Sequence, residues 1–525
     1  MKKLPALLLL LALCMTLTAC WEADGDEPDA FWEAEPVPSS DETSRKSAPE
    51  PERETVFTLP YLNSQTLDPV ACSDGVQQTV GSLLYEGLFA LDARFVPQPV
   101  LCSSYNCSSN GLTYTFWMRE DAAFSNGVAL SATDVLATYR RAQASERYAA
   151  GFSNVASMRV NRGALVVTLR TPDSGFPALL DIPVVKSGTE KDTVPLGTGP
   201  YLFLTDEEGP CLMRKEYWWG ETDYPLERIA LVPAKDADTA IYHFSANNAH
   251  LLMADLLSET PASSLGGIDM TDVPTTTLLF LGFNTKKSPL DRSELRIAMG
   301  EALDRDAIVT TLLAGHATAA QFPICPASPL YPAALETAYE NAAYLRTLSP
   351  ADVPAEAAAP PPAAVIPQEP VELTLLVNEE NSFKVALAEY LARQLSQGQV
   401  SVTPTVLPWP EYLAALESGS FDLWLGEVRL TADWDCTALV SSGGALNYGG
   451  YANPELDKAL TAFLADETAQ TAEAFCTVLA ADAPILPLVF KSASMLTPVD
   501  AITGMAPIVN HPFANLEDWS FHLNT

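Results

Sequence analysis

The sequence predicts an α/β protein, exported from the cytoplasm and large enough for several structural units. Three observations carry this: 525 residues that are 48% hydrophobic and 18% charged, a positive head followed by a short apolar run, and apolar spacing that alternates between strand and helix periods. At about 150 residues per domain the chain holds roughly three units. Acidic residues outnumber basic ones 66 to 30, and a net charge of −36 repels phosphate backbones, which excludes nucleic acid as a partner. Five histidines, none within four residues of another, leave no material for a His-rich zinc centre or an H-E-x-x-H site.

The elements follow in order. Val56–Leu62 alternates as a strand, and Val76, Val80, Leu83 and Leu84 have the spacing of a helix over 76–89, with Tyr85, Leu88 and Phe89 continuing it as core residues. A strand followed by a helix opens an α/β unit. Thr113–Met118 and Arg159–Leu169 read as strands, the second folded on itself at Asn161-Arg162-Gly163. Ser131-Ala-Thr-Asp134 resembles a capping box that starts a helix at Val135, with Asp in the usual Glu place. Gly197, Gly199 and Pro200 punctuate a turn before a strand at Tyr201, and without a third glycine or a lysine they do not make a phosphate loop. Arg296–Leu313 and Phe383–Leu395 read as helices and Val371–Val377 as a strand, while Pro350–Pro370, rich in Ala and Pro, reads as an exposed insertion loop.

Met1-Lys2-Lys3 and the apolar run Leu4–Leu17 fit a secretory signal better than a membrane span. Leu17-Thr18-Ala19-Cys20 resembles the lipobox of bacterial lipoproteins, which ends the signal peptide at 1–20 and makes Cys20 the lipid-bearing first residue of the mature chain. Residues 21–56 carry twelve Asp or Glu, three Lys or Arg and five Pro, and read as a disordered acidic tether. Seven cysteines remain after Cys14 and Cys20, so at least one thiol stays unpaired within the chain. Cys102 and Cys107, close together in a turn-rich stretch of an exported protein, form the expected disulfide. No G-x-S-x-G elbow appears and no Cys has a spaced His, so the chain is not read as an enzyme; no cofactor and no metal site is expected.

A series of short strings in fixed order identifies the family. They are Thr66-Leu67-Asp68-Pro69, Leu84-Tyr85-Glu86-Gly87-Leu88-Phe89, Leu112–Phe116, Phe124-Ser125-Asn126-Gly127 running to Ala132–Val135, and Pro195–Tyr201. In the second half come Leu281–Thr285, Leu295–Ala298, Ala302–Arg305 and Gly450–Asp457. From about Phe57 to the C-terminus the chain resembles the family 5 extracellular solute-binding proteins, the lipoprotein receptors of peptide and nickel ABC importers. The resemblance implies a two-lobed periplasmic-binding-protein-like fold with a ligand in the cleft. It places lobe I at 57–275 plus 489–525, with an added subdomain at about 96–195, and lobe II at 276–488. The chain ends meeting in one lobe leave crossover strands that permit hinge closure.

The same resemblance implies a function: capture of short peptides and their delivery to an ABC permease, from a lipid anchor on the outer face of the cell membrane. A nickel chelate or heme ligand, or a peptide-sensing signalling role, stands as the alternative. In peptide-binding members an Asp after a strand pairs with the ligand ammonium, and Ala432-Asp433-Trp434 matches that loop here, so Asp433 is the expected anchor with Trp434 beside it. The backbone at Arg429 and Thr431 is expected to run beside the peptide. Asp74, Gly75 and Val76 correspond to a facing contact segment, and Trp409 is placed to stack on the ligand. Glu427 stands where some oligopeptide-binding members carry an Arg, which removes that contact.

Overall fold

The strand expected at the start forms at Thr58–Leu62, where Leu59 and Leu62 bury their side chains. It pairs in parallel with Arg228–Ala234, which continues antiparallel through Gly209–Arg214 to Tyr201–Asp206, a four-stranded sheet. The structure, a computed structural model, describes residues 56–220, 222–258, 266–347 and 369–523. The signal at 1–20 with Cys20, the tether over its first 35 positions and the insertion as far as residue 368 lie outside the described residues.

The helix expected over 76–89 stops at Gly81. Tyr85, Leu88 and Phe89 are core residues as expected, but their backbone is not helical. Tertiary contacts override the spacing: Gly199 and Tyr201 donate to the Leu84 and Leu83 carbonyls at 3.0 and 3.1 Å, and Val184 donates to Glu86 O at 2.8 Å. The family strings around residues 84–89 and 195–201 are therefore two sides of one packed junction. The glycines at 197 and 199 permit it, because a Cβ on Gly199 would stand 2.6 Å from the Leu84 carbonyl carbon.

A second four-stranded sheet, fully antiparallel, orders Cys102–Cys107, Thr113–Met118, Ala164–Leu169 and Val155–Asn161. Its expected turn is present, with Arg162 and Gly163 both at positive φ (49° and 81°), as a two-residue hairpin requires. The helix over this sheet runs Ala132–Gln143, three residues earlier than its expected start. Ser131 Oγ donates to Asp134 Oδ2 at 2.5 Å, and Asp134 in turn accepts from the Ser131 backbone N–H at 3.2 Å. The expected Cys102–Cys107 disulfide is corrected. Both thiols are free, at opposite ends of one extended strand. Five strand steps of about 3.3 Å put their Cα atoms far beyond the roughly 7 Å a disulfide can span.

The third sheet is mixed and larger, ordered Leu252–Ala254, Ile485–Pro498, Ile268–Phe283, Leu423–Arg429, Val371–Asn378, Val400–Leu407, with Ala317–Ala319 beside Ile485–Pro498. Two long antiparallel strands, Ile268–Phe283 and Ile485–Pro498, run between two apolar cores. Leu279, Leu281, Leu486 and Leu488 lie in one, while Met495 and Leu496 pack with residues of the first sheet and its helices. Their ladder slips midway: Pro274 pairs with Ser492 but Leu278 with Phe490, leaving Thr275–Thr277 opposite Lys491. Helix Ser382–Leu395 forms as expected. The expected helix Arg296–Leu313 is broken instead: Ser293–Glu301 ends, and Asp304 starts a new turn by accepting from Ala307 N at 2.8 Å.

Candidate functional site

The slip in the long strands opens the floor of a cavity of about 890 Å³. Thr275–Thr277 and Lys491–Ala493 line it from below, Thr431 and Arg429 from the end of strand Leu423–Arg429, and Gly75, Glu86, Arg147 and Asp181 from the side of the first two sheets. At one end Trp218, Trp219, Tyr224 and Phe513 form an aromatic wall, with the two indoles 5.1 Å apart between ring centres. Trp219 Nε1 donates to Glu86 Oε2 at 2.8 Å. Burial raises the Glu86 carboxyl above its usual range, and burial likewise lowers nearby Lys215 to about 8.

The electrostatic centre of the cavity is a group of four residues from three segments: Arg147 with Tyr148, Asp181 and Arg429. Burial lowers the Arg429 guanidinium, the Arg147 charge adds to this, and Asp181 opposes both. The Arg429 guanidinium makes no hydrogen bond or ion pair with any described residue. Arg147 makes one long bond, from Nη1 to Cys72 O at 3.5 Å, and lies 5.0 Å over the Tyr148 ring. Burial raises Asp181, whose Oδ2 accepts from Asn510 Nδ2 at 2.7 Å. Within this group two guanidiniums thus face one carboxylate, which leaves an incoming carboxylate a charge-assisted partner. Burial pushes His511, also on the wall, down to about 4, so it is neutral there.

Of the residues expected to meet ligand, Gly75, Arg429 and Thr431 line the cavity. The other five stand off the lining, each for a local reason. Asp74 caps helix Gly75–Gly81, its carboxylate accepting from Val76 N at 2.8 Å, and Val76 points into an apolar cluster with Leu62 and Phe244. Trp409 begins helix Trp409–Ser418, 51% exposed, stacked on Tyr412 at 5.6 Å. Asp433 and Trp434 are buried away from the lining, 3% and 1% exposed. A tight turn, with Trp434 N donating to Thr431 O at 3.0 Å, puts Trp434 at φ 59° and drives its indole between Phe95 and Phe490, at 5.2 and 5.8 Å. Asp433 accepts from Asp435 N at 3.1 Å. The sequence reading missed Arg147, Asp181 and Lys491, which carry no motif; a charged Glu-Arg-Tyr string just past a helix was the only signal for the first.

Two lobes, long crossover strands and a cavity at their junction define a two-lobed solute-binding protein. Residues 96–447 match the family model for bacterial extracellular solute-binding proteins, family 5 Middle, and the chain belongs to this family. It is a substrate-binding protein of an ABC importer, in a family of transport receptors rather than enzymes. The glutathione-binding protein GsiB of Salmonella typhimurium is 26% identical over 435 residues, 77% of this chain and 81% of that one. The fold matches the Bacillus subtilis oligopeptide-binding protein AppA, solved with a nonapeptide, at a TM-score of 0.56 with 18% identity over 89% of this chain and 98% of that one. It also matches a nickel ABC transporter protein of Bacillus halodurans at a TM-score of 0.66 with 20% identity, over 87% and 97% of the two chains.

Proposed function

We propose that this protein captures short peptides outside the cytoplasm and delivers them to the permease of its importer, held at the membrane by lipid on Cys20 with residues 21–56 as the tether. The observation that carries the reading is the cavity's charge: Arg147 and Arg429 stand ready for a carboxylate, while Asp181 and Glu86 supply acids for an ammonium. A zwitterion with an apolar body suits that wall. At about 890 Å³ the cavity is near the upper end of the roughly 300–1,000 Å³ found for small-ligand sites, which supports a ligand of a few residues. The backbone at Thr431 and the open approach over Gly75 support main-chain contact with an extended ligand. The GsiB relative, named for a tripeptide ligand, supports the same class. An ammonium anchor at Asp433 requires the wall at Trp434 to open, so Asp181 is the nearer acid.

A carboxylate-bearing metal chelate is the second reading, favoured by the same two arginines. Native mass spectrometry of the full chain, extracted without refolding, tests both. Bound masses that resolve into short peptides support the first, and one metal-containing species moves the assignment to the second.

A further inference from the structure

Away from the cavity, four carboxyls gather where two parts of the molecule dock. Asp173 lies in the loop after strand Ala164–Leu169, Glu467 in the connection between helices Pro454–Ala465 and Ala469–Asp482, and Asp433 and Asp435 in the turn after strand Leu423–Arg429. Backbone and hydroxyl bonds hold the contact: Ser174 N donates to Leu464 O at 2.8 Å and Glu467 N to Ser174 Oγ at 2.7 Å. The Glu467 carboxyl lies against Gly175, in space that a Cβ there would occupy.

Among the described residues this group has no counter-ion. Asp173 is 5% exposed, and its Oδ1, like Glu467 Oε1, is buried with no hydrogen-bond partner. The charges that act most strongly on Asp173, Asp433 and Glu467 are one another and Asp435, all carboxylates. The other titratable neighbours are Tyr114, whose hydroxyl donates to the Asp173 carbonyl at 2.8 Å, and the Cys436 thiol beside Asp433 and Asp435. Asp173 and Asp433 are buried and Glu467 is half-buried with its Oε1 shut away from solvent, so carboxylates packed this closely resist ionising together; a proton on one turns an orphaned acceptor into a donor for the next.

We propose that this junction is a proton-operated latch, in which protonated Asp173 and Glu467 let the two segments dock and their ionisation drives the segments apart. Burial first, and then the neighbouring negative charges, push Asp173 up to about 8 and Glu467 up to about 10. Carboxyls raised in the docked form bind protons that the separated form releases. Their contribution to docking is complete below the ordinary carboxylate range near pH 4 and is lost as pH rises through about 8 to about 10. The latch does not depend on the ligand's identity.

Hydrogen–deuterium exchange on the full chain reads the latch directly, because the Ser174 and Glu467 amides are both spent across the junction. After correction for intrinsic exchange, protection at these amides should fall about tenfold or more between about pH 6 and about pH 9, and Glu467→Gln should abolish most of that fall. Asp173→Asn gives the same reading if Glu467→Gln folds poorly. Protection that is flat with pH in the wild type overturns the proposal, and so does protection at about pH 9 that is restored by millimolar calcium or manganese, which would make the cluster a metal site.

Discussion

Lys491 Nζ lies 2.6 Å from Asp255 Oδ2, an ion pair set into the cavity floor where the two long strands lose register. The lysine side chain is 5% exposed, and Glu427, at 3.6 Å, is its second partner. Glu427 also pairs with Lys384 at 3.0 Å. Two lysines thus answer the acid at this position. Asp255→Asn leaves a buried ammonium with its weaker partner only. Stability should drop by about 1–2 kcal/mol, below the roughly 3–5 kcal/mol of a fully buried pair because Asp255 is itself half exposed. Urea denaturation checks it, and an unchanged midpoint would remove the pair from the account of the floor.

Arg429→Ala should leave the fold intact, since the guanidinium holds no described partner, and should weaken binding of a peptide with a free C-terminus by about tenfold or more. Arg429→Lys should recover only part of it, because an ammonium lacks the planar fork. Calorimetry with a peptide and its C-terminal amide decides the matter. Equal affinity for the two would sink the carboxylate contact.

Gly199→Ala puts a methyl 2.6 Å from the Leu84 carbonyl carbon and 2.7 Å from Leu83 O, backbone atoms that cannot swing aside. The cost should be about 1–3 kcal/mol, read as a lower melting temperature. A melting temperature equal to wild type would mean that the junction between residues 84–89 and 195–201 is looser than described.

Trp434→Ala removes an indole that is 1% exposed and wedged between Phe95 and Phe490. Loss of about 3–5 kcal/mol is expected from the cavity it leaves. Trp434→Phe should lose less than half of that. If the two variants denature together, the site collapses around either residue and the wedge is not the source of stability.

The sequence by itself determined the local and the familial. The hairpin at Arg162-Gly163 follows from two residues able to take positive φ, and the cap of helix Ala132–Gln143 from a Ser and an Asp three positions apart, although the helix begins three residues before its expected start. The order of short strings sufficed for the family, which the match over residues 96–447 shows. Local spacing misled where distant backbone claimed the chain. Helical periodicity over Leu83–Phe89 yields to Gly199 and Tyr201, because their N–H groups take the carbonyls a helix would have used. Cys102 and Cys107, near in number, are separated by the extended strand they share.

What only the tertiary structure decided is the site. Asp433 has the right neighbours in sequence, yet a positive φ at Trp434 turns that segment into the core, and no pattern of residue types records the direction of such a turn. Arg147 and Arg429 belong to segments far apart along the chain and meet only because the long strands, bulged at Thr275–Thr277, open a cavity between the two halves. Electrostatic partnership depends on separation in space and on burial. Neither is a property of the string.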